Sequence, residues 1–180
     1  ASPGGLCVKK WYPERNAKTG PEYYNGTYAY DINNNGDIVG SARINNWGSY
    51  WAVIWKKNNS GSWGFPENIG GPDPQGTSDG YAIAKGVSSS GSYAAGYYTT
   101  YGINYRPCVW ADTGSGWSRT NIPTFGGTSG YGQSVNDSGE VVGYSQNASG
   151  IYRAFYSTST GVVTELESFG DGNGYSYAYK

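Results

Sequence analysis

The sequence predicts an all-β protein: repeated four-stranded antiparallel units, propeller-like, flanked by unpaired N- and C-terminal strands. Three observations carry this prediction. Aromatic residues make up 17% of the 180 positions while all hydrophobics together reach only 37%, so Tyr and Trp, which suit half-buried strands, take the place of the helix formers. Glycine is abundant, at 30 residues, and it falls where alternating runs have to turn. Finally, three landmarks recur along the chain in a fixed order.

The first landmark is a hairpin. It is written Ile32-Asn33-Asn34-Asn35-Gly36-Asp37-Ile38-Val39-Gly40, then Val87-Ser88-Ser89-Ser90-Gly91 running on to Gly96, then Val135-Asn136-Asp137-Ser138-Gly139-Glu140-Val141-Val142-Gly143. Its turn glycines, Gly36, Gly91 and Gly139, stand 55 and 48 residues apart. A second apolar patch follows each: Trp51–Trp55, Arg106–Trp110 and Arg153–Ser157. A Gly-rich turn with a third patch closes each unit, at Glu67–Gly71, Ile122–Gly127 and Leu166–Gly170.

Each unit reads as strands. Tyr28 to Ile32 alternates into an Asn-Gly turn, the strongest short hairpin signal, and Asp37 to Ala42 returns from it. Trp51–Trp55 supplies a third strand, and the stretch before Ile69 a short fourth. The units therefore cover 28–80, 81–130 and 131–174 of one domain. Residues 1–27 hold an N-terminal strand, Leu6–Trp11, and a loop. Residues 175–180 repeat the opening strand of a unit, because Tyr175-Ser176-Tyr177-Ala178-Tyr179-Lys180 echoes Gly26-Thr27-Tyr28-Ala29-Tyr30-Asp31. Three readings are open for these spare strands: closure within the chain, a place in a longer array of which this chain is a fragment, or completion of a neighbouring copy. Tyr175, Tyr177 and Tyr179 are the candidate assembly residues.

Composition narrows the function classes. The chain has no His, which removes Ser-His-Asp and Cys-His nucleophile systems and His-ligated zinc. Twelve basic against thirteen acidic residues lack the basic footprint of a nucleic-acid binder. No apolar run reaches the length of a membrane helix. The opening Ala1-Ser2-Pro3-Gly4-Gly5 suits a mature secreted chain, and an extracellular or cell-surface location is expected. Cys7 and Cys108, the two cysteines, are expected to pair, closing a loop worth on the order of 4–5 kcal/mol.

The pattern Ile-Asn-(Asn/Asp)-x-Gly-(Asp/Glu)-(Ile/Val)-Val-Gly, followed by an aromatic strand and a Phe-Gly-Gly close, resembles the extracellular HAF-repeat proteins of bacteria. The resemblance runs from about Tyr28 to Gly170 and is nearest in the third unit, at Val135–Gly143 and Arg153-Ala154-Phe155. The name-giving His falls at Trp51, Arg106 and Arg153, and the Phe at Val53, Cys108 and Phe155. The resemblance implies a propeller-like secreted or surface protein and brings no catalytic residue with it.

Candidate chemistry is sparse. Asp31, Asn33, Asn35 and Asp37 match the first half of a calcium loop, although the closing Glu position is Ala42; a plain hairpin turn using Asn and Gly is the competing reading. Asp37 and Glu140 are repeat-equivalent acids, the pair a glycosidase or lyase would need. Trp47, Tyr101 and Tyr105 lie between strands beside small polar residues and are the candidates for stacking on a sugar. Arg106 and Arg153 recur at one repeat position and read as edge residues with their heads in solvent. The sequence thus points to a non-enzymatic, self-associating extracellular scaffold with no resident cofactor. A polysaccharide-binding module is the alternative.

Overall fold

The computed structural model describes residues 26–43, 49–71, 80–100, 104–168 and 174–180. Among them the chain forms twelve strands in three four-stranded antiparallel sheets, and no helix. Unit 1 is β1 (Thr27–Ile32), β2 (Ile38–Arg43), β3 (Tyr50–Trp55) and β4 (Glu67–Gly70). Unit 2 is β5 (Ala82–Val87), β6 (Tyr93–Thr100), β7 (Asn104–Asp112) and β8 (Trp117–Asn121). Unit 3 is β9 (Gly126–Val135), β10 (Val141–Asn147), β11 (Tyr152–Ser157) and β12 (Val163–Glu165). Each sheet is a meander whose strands pair in chain order.

One turn chemistry recurs in four of these connections. Asn33 accepts the backbone N–H of Asn35 and Asp37 on its side-chain oxygen, and Asn58, Asn136 and Asn147 each do the same for the residues two and four ahead. The side chain thereby satisfies turn amides that the ladder leaves open. The residue three positions on is Gly in each case, with φ of 83° at Gly36 and 75° at Gly139, a region a Cβ disfavours. Three Asn-x-Ser sequons, at Asn58, Asn136 and Asn147, are these same turns.

A second device recurs on the opening strand of each unit. The ladder skips one residue, Tyr30, Lys85 or Gln133, a bulge that bends the strand. Beside it β2, β6 and β10 carry Gly40, Gly96 and Gly143. A Cβ there would stand 1.8, 1.9 and 2.1 Å from the carbonyl oxygens of Tyr28, Ile83 and Tyr131, so only Gly allows the close approach.

The core lies between the sheets. Val39, Ala52, Ile54 and Ile69 of unit 1 pack on Ala84, Val87, Ala94, Cys108 and Trp110 of unit 2. Ala95, Val109 and Ile122 of unit 2 pack on Val135, Val141 and Phe155 of unit 3. Neither sheet pair has many aliphatics, and Trp110 and Phe155 are the largest side chains fully enclosed. The opening strand of each unit lies across the preceding sheet, β5 over β1, β2 and β3, and β9 over β5, β6 and β7.

Of the expected Cys7–Cys108 pair, the described residues include Cys108 alone. Cys108 is a free thiol, fully buried between units 1 and 2, where it fills space as a small apolar side chain. Burial pushes its pKa well above the ordinary thiol value. Cys7 lies outside the described residues.

Candidate functional site: the tyrosine junctions

Where unit 2 meets unit 3, three tyrosines interlock. Tyr97 of β6 and Tyr105 of β7 lie edge to face with ring centroids 5.7 Å apart. Tyr131 of β9 meets Tyr97 at 4.9 Å and 80°, and stacks on Tyr105 at 5.3 Å and 29°. The bulge in β9 aims Tyr131 at this spot, while the β6–β7 hairpin sets the other two side by side. Such pairs contribute about 0.5–1.5 kcal/mol each beyond the area they bury.

The same triad is built again 47, 47 and 46 residues further on, from Tyr144, Tyr152 and Tyr177. Tyr144 and Tyr152 meet edge to face at 5.4 Å, Tyr144 and Tyr177 at 4.9 Å and 77°, and Tyr152 and Tyr177 at 6.0 Å and 34°. Tyr177 therefore stands to unit 3 as Tyr131 stands to unit 2. The C-terminal residues 174–180 join no ladder, yet they lie where the opening strand of a further unit would lie.

Backbone and charge reinforce the seat. Ser176 donates its N–H to the Tyr152 carbonyl at 3.1 Å, and its hydroxyl accepts the Ala154 N–H at 2.9 Å. Arg153, 6% exposed, donates to the Gly174 carbonyl and lies 3.4 Å from the Glu165 carboxylate. Its repeat counterpart Arg106 donates to the Gly127 carbonyl at the start of β9. Both arginines are thus clasps on the strand that follows, which replaces the expectation of solvent-facing heads. In unit 1 the position is Trp51, whose ring covers Gly71. At the far end Lys180 is paired with Asp31 at 2.5 Å.

Three phenols of this region, Tyr97, Tyr131 and Tyr144, are held neutral. Burial, followed by the neighbouring phenols of Tyr30, Tyr105 and Tyr144, pushes Tyr97 up to about 12. Burial and then Tyr179 and Tyr152 push Tyr144 up to about 12. Burial also raises Tyr131, with Tyr152 second. At these three positions desolvation and the phenols alongside disfavour phenolate.

The calcium-loop residues serve other ends. Asp31 accepts the Val87 N–H on one oxygen and Lys180 on the other. Asn33 commits its side-chain oxygen to its own turn and its N–H₂ to Asp37 and the Ser88 carbonyl. Asn35 donates to the Ser89 carbonyl. These bonds tie the turn of unit 1 onto the turn of unit 2, and Asp137 accepting from Ser90 N–H ties unit 2 to unit 3. Among the described residues no group of three His, Cys, Asp or Glu is gathered for a metal.

Asp37 and Glu140 do not share a groove. Asp37 is buried with its carboxylate against Gly91. Glu140 lies in a cleft of about 180 Å³ on unit 3 with Ser134, Val135, Asn136, Val142 and Tyr156, accepting from Tyr156 and Asn136 at 2.6 Å each. Those two bonds lower its pKa. Of the sugar-stacking candidates, Tyr105 is absorbed in the junction triad, while Trp47 and Tyr101 lie outside the described residues. Tyr131 and the two triads as such escaped the sequence reading, though the recurrence at 46 to 47 residues carries the signal.

Comparison with family models, with curated proteins and with solved structures finds no match. The functional reading therefore rests on this geometry: three neutral phenols, an arginine clasp and a seat for residues 174–180.

Proposed function

We propose that this is a non-enzymatic, extracellular or surface β-repeat protein with a structural role, self-associating head to tail through its C-terminal strand. The propeller-like arrangement and the kinship with HAF-repeat proteins belong to the same proposal. The single observation that carries it is the second tyrosine triad: Tyr177 seats residues 175–180 on unit 3 in the manner that Tyr131 seats β9 on unit 2. Two further facts support exchange between copies. Ser176-Tyr177-Ala178-Tyr179 nearly duplicates Thr27-Tyr28-Ala29-Tyr30 of β1. And β1 is an edge strand, paired to β2 alone, with five of its six residues exposed, the replaceable kind. In the assembly the C-terminal strand of one copy takes the place of residues 27–31 beside β2 of the next.

Deleting Tyr175–Lys180 tests this. Wild type is expected to form concentration-dependent oligomers in sedimentation velocity and rings or filaments in electron microscopy, and the truncated chain to be monomeric. Unchanged assembly of the truncated chain overturns the reading. A second reading, polysaccharide binding, draws on the exposed parallel rings of Tyr175, Tyr177 and Tyr179, spaced 6.4 and 6.3 Å; a truncated monomer that keeps glycan-array binding argues against those rings.

A further inference from the structure

The repeats state what covers each face of a unit. Looking toward the following unit, unit 1 presents Val39 and Ile54, and unit 2 presents Ala95 and Val109. The ladder registers place Val142 and Tyr156 at the same positions of unit 3. Both are only half-buried, and both line the Glu140 cleft. Looking toward the preceding unit, units 2 and 3 present Val87 with Ala94 and Val135 with Val141. The counterparts in unit 1 are Ile32, 55% exposed, and half-buried Ile38. The two end faces are thus the two halves of a junction the chain already builds twice.

Charge fixes how they would meet. At the first junction the carboxylate of Asp37 lies against Gly91, 2.4 Å from where a Cβ would be. At the second, Tyr93 of unit 2 holds the corresponding place against Gly139. At Gly36 that place is held by Lys57 of the same unit, an exposed side chain whose Nζ lies 3.6 Å from the Cβ position. Glu140 is the unit 3 counterpart of Asp37. Set in register, Glu140 of one copy meets Gly36 of the next and, beside it, the flexible ammonium of Lys57.

We propose that the Glu140 face of unit 3 docks on the Lys57 face of unit 1 in a second copy of this chain, with Glu140 and Lys57 forming an ion pair across the contact. The proposal rests on the self-association reading and names its surface. The contact is heterologous, so repetition extends into an open array or closes into a ring.

Charge reversal tests it whether the assembled form is a ring or a filament. Glu140→Lys and Lys57→Glu are each expected to raise the protein concentration needed for assembly at least tenfold in sedimentation velocity, with far-UV circular dichroism and melting temperature checked beside wild type. An equimolar mixture of the two variants restores assembly as an alternating copolymer, because each supplies the charge the other needs on both faces. Glu140→Gln, which retains acceptor and shape but loses charge, falls between. Assembly of either reversal at wild-type concentration overturns the docking face, as does failure of the mixture to rescue. Wild type that remains monomeric at every concentration defeats the self-association reading itself, and the docking face with it.

Discussion

Tyr144 and Tyr177 meet edge to face with centroids 4.9 Å apart, the same separation as Tyr97 and Tyr131 one unit earlier. The first pair joins unit 3 to a strand that belongs to no sheet, whereas the second joins two complete sheets. A double-mutant cycle separates the ring contact from the loss of each side chain. With Tyr144→Leu and Tyr177→Leu the coupling measured by urea unfolding is expected at about 0.5–1.5 kcal/mol. The cycle Tyr97→Leu with Tyr131→Leu is expected to give a coupling of the same size. Coupling near zero at Tyr144–Tyr177 alone shows that the C-terminal strand is not seated there in solution.

Much of the fold is legible in the sequence because its signals are local. Asn33, Asn136 and their neighbours announce hairpins through side chains that bond two and four residues ahead, and a Gly with positive φ follows at a fixed offset. Strand existence and unit order follow from that frame. The junctions are harder, because they depend on which face of a strand looks at the next unit. A bulge at Tyr30, Lys85 and Gln133 shifts that facing by one residue and leaves no local signature. The same blindness made Arg153 look like a solvent-facing edge residue, since its partners are set by β12 and the C-terminal residues rather than by its own strand.

Arg153 provides the sharpest test of the clasp. It is almost wholly buried, and its two described partners are the Gly174 carbonyl and the exposed Glu165 carboxylate. Arg153→Ala strands that carbonyl and the carboxylate together and is expected to cost about 2–3 kcal/mol in urea unfolding. Arg153→Lys gives little rescue, because a single ammonium cannot span both partners as the planar fork does. Glu165→Gln, at the exposed end, is expected to cost under about 1 kcal/mol. If Arg153→Ala unfolds at the wild-type midpoint, the clasp contributes nothing.

The crossing glycines divide from the turn glycines by what surrounds them. Gly96→Ala sets a methyl 1.9 Å from the Ile83 carbonyl oxygen, and neither strand has room to move without breaking the β5–β6 ladder. The expected loss exceeds about 3 kcal/mol, in the range of severe overpacking. Gly61→Ala, at φ of 82° with nothing within 4 Å, incurs only backbone strain, about 1 kcal/mol. Chemical denaturation of the two variants orders them. Equal losses mean that the strands separate where the 1.9 Å approach is drawn.

Alkali is the condition that attacks the junctions selectively. Tyr97 and Tyr144 have ordinary values of 10.0 and are held up to about 12 in the fold, chiefly by burial. A raised phenol pKa means that the unfolded chain gives up its proton first. The stabilising preference for neutral tyrosine is therefore complete below pH 10 and is lost as the pH climbs from about 10 toward 12. The melting temperature is expected to hold from pH 7 to 9 and then fall steeply. Phenolate absorbance of these residues rises with unfolding instead of along a free-tyrosine curve. Tyr97→Phe removes one of the titrating groups and shifts the fall to higher pH. Because the second triad holds only a single strand, residues 174–180 are expected to leave their seat before the sheets part, seen as protease cleavage near Tyr175 at a pH where the strands of units 2 and 3 still resist. Simultaneous loss of the C-terminal strand and the sheets contradicts this order and makes the seat as firm as the junction between units 2 and 3.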